Sequence, residues 1–140
     1  MQPLDRSLNV PASVPGIRQA EAELDAFAAA SGLPADALWR FHVALDEVIS
    51  NIARHGAATS EVGPIGLELR LEGVVLEVTV TDDAPPFNPL AAPEPDTAAS
   101  LEERPIGGLG ITLVKGLMDE VRYERRDGRN RLTLRRTLDG

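Results

Sequence analysis

Leu67, Leu69 and Leu71 alternate with Glu68, Arg70 and Glu72, and a second strand-like run, residues 74–81, follows directly after Gly73. Successive side chains of a strand point to opposite faces, so this pattern describes a half-buried strand that turns tightly into another. Such an antiparallel hairpin exposes one apolar face that something must cover, which limits the fold to a few layered arrangements. A second hairpin is signalled near the end of the chain. There, residues 121–126 and 129–138 flank Asp127-Gly128, a dipeptide suited to a two-residue turn with positive φ.

The cover is helical. Ser13 is placed to cap a helix with Pro15 in its first turn, and Ile17, Ala20, Leu24, Phe27 and Ala28 fall on one stripe. Gly32 and Pro34 punctuate, and a second helix is expected over about residues 35–54. Its apolar stripe is Leu38, Phe41, Leu45, Val48, Ile49 and Ile52, with Gly56 as its stop. A third helix is expected over about residues 109–119. Between residues 83 and 106 periodicity vanishes and Pro85, Pro86, Pro89, Pro93, Pro95 and Pro105 crowd in. A patternless connection of that length inside a compact domain is usually a functional lid or a disordered insert. The expected fold is α+β, a two-layer sandwich whose mostly antiparallel sheet carries helices on one face. Residues 1–140 form one domain, with a lid at about 84–106.

With 140 residues, 43% of them hydrophobic, the chain can bury a sizeable core. It has no run of about 18 apolar residues and no charged-then-apolar order at its start, so the expectation is a cytoplasmic protein without a membrane span. Absence of cysteine excludes disulfides and thiolate metal sites, and His42 and His55 stand alone. A net charge of −8 argues against direct binding of nucleic acid, which requires cations to neutralise phosphates. Residues 115–136 nonetheless hold eight of the fourteen Lys and Arg side chains, a distribution consistent with arginines on a solvated strand face.

Three separated stretches carry chemistry. Glu47 and Asn51 lie one helical turn apart on the second helix, on a face set away from Leu45 and Ile52, with Arg54 close by. An asparagine amide oxygen there suits Mg²⁺, which keeps several waters and takes other ligands from ATP phosphates. Glu47 beside it would be a base or a water-orienting carboxylate. Asp82 shares strand parity with Val74, Leu76, Val78 and Val80, so it continues an apolar face and needs a partner. A ligand amine such as that of adenine is one candidate; a turn beginning at Asp82 is the other reading. Gly107-Gly108-Leu109-Gly110 opens the third helix, where glycine allows close backbone approach to phosphate and the helix dipole favours anions. Arg104 lies just upstream as a phosphate clamp. No Walker-type Gly-x-x-x-x-Gly-Lys-[Ser/Thr] run is present.

Residues 46–56 (DEVISNIARHG), 78–89 (VTVTDDAPPFNP) and 107–121 (GGLGITLVKGLMDEV) resemble the three nucleotide boxes of the GHKL, or histidine-kinase-like, ATPase superfamily. Within it the chain is most similar to the small serine/threonine kinases that act as bacterial anti-sigma factors, and residues 117–136 resemble their C-terminal hairpin. The resemblance implies a Bergerat-type ATP-binding fold. It makes Glu47 the catalytic carboxylate, Asn51 the Mg²⁺ ligand and Asp82 the acceptor for the adenine amino group. Arg54, Ala84, Phe87 and Arg104 would join them around the nucleotide, with Gly107, Gly108, Leu109 and Gly110 bordering the phosphates. It also implies a homodimer, a sigma factor as partner, and an anti-anti-sigma protein as phospho-acceptor. One departure stands out: the second box usually reads Asp-x-Gly-x-Gly, and here Ala84 and Pro86 hold the glycine positions. Proline lacks an N–H, so any backbone donor to nucleotide at 86 is lost.

The leading expectation is therefore an ATP-dependent serine/threonine kinase working by partner switching. The alternative is a nucleotide-binding module that sequesters a partner without phosphorylating it. A histidine-kinase catalytic domain is disfavoured, because dimerisation helices and a phospho-accepting histidine are missing from the pattern.

Overall fold

The computed structural model describes residues 4–34, 36–57, 63–91 and 108–138. Strands β1 (Leu4–Val10), β2 (Ile65–Glu72), β3 (Val75–Asp82), β4 (Glu120–Arg126) and β5 (Arg129–Thr137) form an antiparallel sheet in the order β1-β2-β3-β5-β4. Helices α1 (Val14–Ala30), α2 (Trp39–Ala57) and α3 (Gly108–Leu117) supply the second layer. The α+β class, both hairpins and the helical cover agree with the sequence expectation.

Register explains the core. Leu67, Leu69 and Leu71 stand opposite Val80, Val78 and Leu76, while Val78 and Val80 in turn face Leu134 and Leu132. All of these are buried and meet Phe41, Leu45 and Ile49 of α2 and Leu24 and Phe27 of α1. On the opposite sheet face polar partners align: Glu77 bonds Arg135 at 3.2 Å and Thr79 bonds Thr133 at 3.4 Å. Because β5 lies between β3 and β4 and is antiparallel to both, β3 and β4 run parallel, and α3 belongs to the crossover between them.

Local signals acted largely as anticipated. Ser13 caps α1, its hydroxyl accepting from the Gly16 N–H, with Pro15 in the first turn. Asp127 and Gly128 both take positive φ, +55° and +74°, as a primed two-residue hairpin turn demands. Both ends of α2 and one whole strand differ. Helix α2 begins at Trp39 rather than near residue 35, since residues 36–38 form a turn that already buries Leu38. It also runs through Gly56 to Ala57, so that glycine does not stop it. Strand β1 was not expected at all: most of its side chains are exposed and only Val10 is fully buried, so little apolar alternation marks it. The lid expected at about 84–106 falls mostly outside the described residues, which include only 84–91 of it, ending in a single 3₁₀ turn.

Leu134 is fully buried opposite Val78 at the centre of the sheet. Leu134→Ala is expected to lower the unfolding free energy by about 2–5 kcal/mol, against no more than about 0.5 kcal/mol for Glu72→Gln at an exposed strand end. Urea denaturation of the two variants measures both.

Candidate nucleotide site

Where the apolar faces of β3 and β5 run out, each ends in a polar residue. Asp82 closes β3 and pairs in register with Asn130, the second residue of β5, and both are only 6% exposed. The two-residue turn at 127–128 fixes this, because it pairs Arg126 with Arg129 and so sets every later position of β5.

Asn130 is the centre of a hydrogen-bond cluster. Its Nδ2 donates to Asp82 Oδ1 at 2.9 Å, to the Pro85 carbonyl at 3.1 Å and to the Ala84 carbonyl at 3.3 Å. Its Oδ1 accepts from the Tyr123 hydroxyl, the Phe87 N–H at 3.2 Å and Arg125 Nη1 at 3.2 Å. Reversing the amide would set an oxygen against three acceptors, so the network itself selects this orientation. Arg125 Nη1 also donates to the Ala84 carbonyl at 2.8 Å. One side chain thus ties residues 82–87 to the sheet.

Asp82 continues the buried face of β3, so the strand has not frayed there, and it begins a turn as well. It is a paired strand residue, and its Oδ1 also accepts the Ala84 N–H at 3.0 Å, which starts a turn. Among the described residues its partners are Asn130 and the Ala84 N–H. Both bonds fall on Oδ1, leaving Oδ2 without a partner among the described residues. Ala84 needs no glycine: among the described residues Asp127 is the only non-glycine with positive φ.

A cleft of about 190 Å³ opens beside this cluster. Val48, Asn51 and Ile52 of α2 form one wall, Ile111 of α3 another, and residues 84–87 the rim. Val80, Leu132, Asp82 and Asn130 form its floor. Apolar walls with one carboxylate oxygen free suit a flat ring that donates from its edge.

Asn51 is 8% exposed, so it belongs to this wall and not to a solvated helix face. Its Oδ1 accepts a hydrogen bond from Arg54 Nη2, one turn further along α2. Glu47 is half-buried and faces α3: a Cβ added at Gly110 would overlap its Oε2, while the Glu47 Cβ stays 3.7 Å away. The absence of a side chain at 110 is what lets that carboxylate lie against the opening turn of α3.

The structure therefore brings Asn51, Asp82, Ala84 and Phe87 around one cleft, Arg54 onto Asn51, and Glu47 onto Gly110. Gly108 is the first residue of α3. Arg104, Gly107 and the Leu109 side chain lie outside the described residues. Sequence reasoning missed Asn130, Tyr123 and Arg125. Asn130 carried a signal of the same kind as Asp82, a polar residue sharing strand parity with Leu132 and Leu134.

The sequence profile of the histidine kinase-like ATPase domain matches residues 10–136. The chain belongs to this family. Among its relatives, the serine/threonine-protein kinase BtrW of Bordetella bronchiseptica is 34% identical over 89 residues, 64% of this chain and 63% of that kinase. The serine-protein kinase RsbW of Listeria monocytogenes is 28% identical over 120 residues, 83% of this chain and 76% of RsbW. The crystal structure of the RsbU and RsbW domains of a Mycobacterium tuberculosis protein superposes with a TM-score of 0.66 over 99% of this chain. It is 20% identical and the match covers 33% of the larger chain, so this likeness speaks for the fold. In this histidine kinase-like ATPase domain no described helix is long and apolar enough to cross a membrane.

Tyr123→Phe removes one donor to Asn130 and leaves those from Phe87 and Arg125 in place. Its expected cost is about 0.5–1.5 kcal/mol of stability, measured by chemical denaturation. An unchanged midpoint would mean that the phenol contributes nothing to the cluster.

Proposed function

We propose that this chain is an ATP-dependent serine/threonine protein kinase that works by partner switching, as an anti-sigma factor that phosphorylates a small anti-anti-sigma-like protein. The observation that carries the reading is an apolar cleft lined by Asp82, whose Oδ2 has no partner among the described residues, and by Asn51, one turn from Glu47. Relatives named as serine/threonine and serine-protein kinases support it. A bacterial cytoplasmic setting, a role in transcription regulation and a homodimer belong to the same proposal.

The adenine ring would enter between Ile52, Ile111 and Leu132, with its amino group donating to Asp82 Oδ2. Phosphates would then extend toward the opening turn of α3, where backbone N–H groups and the helix dipole favour negative charge. Arg54 stands beside Asn51 and can turn its guanidinium onto a phosphate oxygen.

The donor set fits a Mg²⁺ ion taken up with the nucleotide. Asn51 Oδ1 already attracts a cationic group, the guanidinium of Arg54, and among the described residues no cluster of acids or imidazoles offers a dedicated metal cage. A single protein oxygen is the usual contribution to an ion held chiefly by phosphates and water. When bound, Mg²⁺ neutralises charge developing on the transferred phosphoryl group. Arg54 must leave Asn51 for that oxygen to serve.

Transfer requires a partner Ser or Thr hydroxyl to attack the γ-phosphorus, forming a P–O bond as the bond to the bridging β–γ oxygen breaks. Glu47 accepts the hydroxyl proton and ADP departs. Gly110 bears on this step because it leaves room for the Glu47 carboxylate at the end of the cleft where the phosphates would lie.

A sequestering module without transfer is the second reading, favoured by one observation: Arg54 occupies the oxygen that the metal would need. Incubating the protein with Mg-ATP and its candidate partner, followed by intact mass, separates the two. A partner heavier by one phosphate supports the kinase; ATP-dependent binding without that mass supports sequestration.

Asp82→Asn is expected to keep Oδ1 for Asn130 and Ala84 while turning the remaining acceptor into a donor. The fold should persist and ATP affinity should fall by about 1.5–3 kcal/mol, a roughly ten- to hundredfold loss by calorimetric titration. Equal affinity would remove Asp82 from the site. Glu47→Ala should still bind Mg-ATP but phosphorylate the partner about 10²–10⁴-fold more slowly in single-turnover assays. Full activity in that variant would place the base elsewhere.

A further inference from the structure

We infer that Asn130 is the positioning residue that makes the cleft selective for an amine-bearing purine, an inference resting on the adenine-nucleotide reading above. A carboxylate offers two equivalent oxygens and rotates about its last bond, so Asp82 alone does not define which oxygen a ligand meets. Asn130 removes that freedom. Its Nδ2 holds Oδ1 at 2.9 Å from the sheet side, while the Ala84 N–H holds the same atom at 3.0 Å from the loop side. With the two donors found among the described residues both on Oδ1, Oδ2 is left for the ligand, and an ionised carboxylate oxygen accepts but cannot donate. The ring edge that meets it must therefore carry an N–H, as adenine does at its amino group, and a carbonyl at that place is repelled.

The same amide acts on the rim. Through the Ala84 and Pro85 carbonyls and the Phe87 N–H it fixes the backbone that borders the ring. Tyr123 and Arg125 hold the amide itself by donating to its Oδ1, so the carboxamide cannot turn over. A carboxylate at 130 would keep the size and shape of the side chain and lose the donor. It would face Asp82 and two carbonyls with like charge, and the Asp82 carboxyl would be driven to rotate away.

The test is the ratio of affinities for ATP and ITP, whose base carries a carbonyl where adenine carries its amine. A residue that merely stabilises the fold changes both affinities alike and leaves the ratio untouched. Wild type is expected to prefer ATP by about ten- to hundredfold. In Asn130→Asp that preference should shrink by about tenfold or more, with circular dichroism confirming a folded chain. Tyr123→Phe, which loosens the amide without removing it, should shrink the ratio less and in the same direction, and it decides the matter where Asn130→Asp does not fold. Folded variants that retain the wild-type ratio would overturn the role of Asn130 while leaving adenine-nucleotide binding intact. A wild type that binds neither ATP nor ADP would overturn the nucleotide reading and this inference with it.

Discussion

Two polar side chains, Asp82 and Asn130, occupy the places where the apolar faces of adjacent strands would otherwise continue. An unpaired carboxylate at 6% exposure would be costly, and an unpaired amide only somewhat less so. Paired across the ladder, each satisfies the other, and the surplus donors and acceptors of the amide reach the loop that follows β3. The cleft exists because of this arrangement. Without Asn130, residues 84–87 would lose its bonds to the Ala84 and Pro85 carbonyls and the Phe87 N–H, while the Arg125 bond to the Ala84 carbonyl and the Ala84 bond to Asp82 would remain. The polar pair thus interrupts the hydrophobic core at one edge and shapes the cavity beside it.

A second constraint comes from the helices. Helix α2 presents Asn51 to the cleft and Glu47 to α3, and the two helices pack directly against each other. Gly110 makes that approach compatible with a carboxylate between them. Any side chain at 110 would push the far end of Glu47 aside, a change borne by a flexible group and not by the backbone. The Arg54 bond to Asn51 belongs to the same helix face. In the proposed kinase it holds the amide oxygen until a nucleotide arrives, and the guanidinium then has phosphate as an alternative acceptor.

Both hairpins were legible in the sequence because strands with one buried face alternate, and because Asp127-Gly128 permits few conformations. The α1 cap at Ser13 was legible for a similar reason, a hydroxyl three residues before an otherwise unpaired N–H. Strand β1 was not, since an edge strand with Asp5, Arg6, Ser7 and Asn9 offers almost no periodicity. The start of α2 was misplaced because Leu38 is buried from within a turn, so its apolar character reads as helical stripe. Asp82 betrayed itself by parity, and as the last paired residue of β3 it excludes a frayed strand while still starting a turn. A carboxylate has two oxygens, and one can close a turn while the other faces a ligand. Asn130 carried the same parity signal, masked by five neighbouring arginines that made its strand look solvated.

The missing glycines of the second box follow from the same geometry. Glycine is favoured where φ is positive, and Ala84 does not have a positive φ. Alanine there, and proline at 85 and 86, reduce the freedom of the unfolded chain, which favours the folded loop wherever its conformation is compatible. Proline also surrenders a donor at 86, but the loop is anchored through the carbonyls of 84 and 85 and the N–H of 87, none of which proline at 86 removes. Asn130 thus holds this loop through bonds at 84, 85 and 87. A rim held in this way has little freedom to adapt, so in the proposed kinase discrimination between bases would rest on the oriented carboxylate of Asp82.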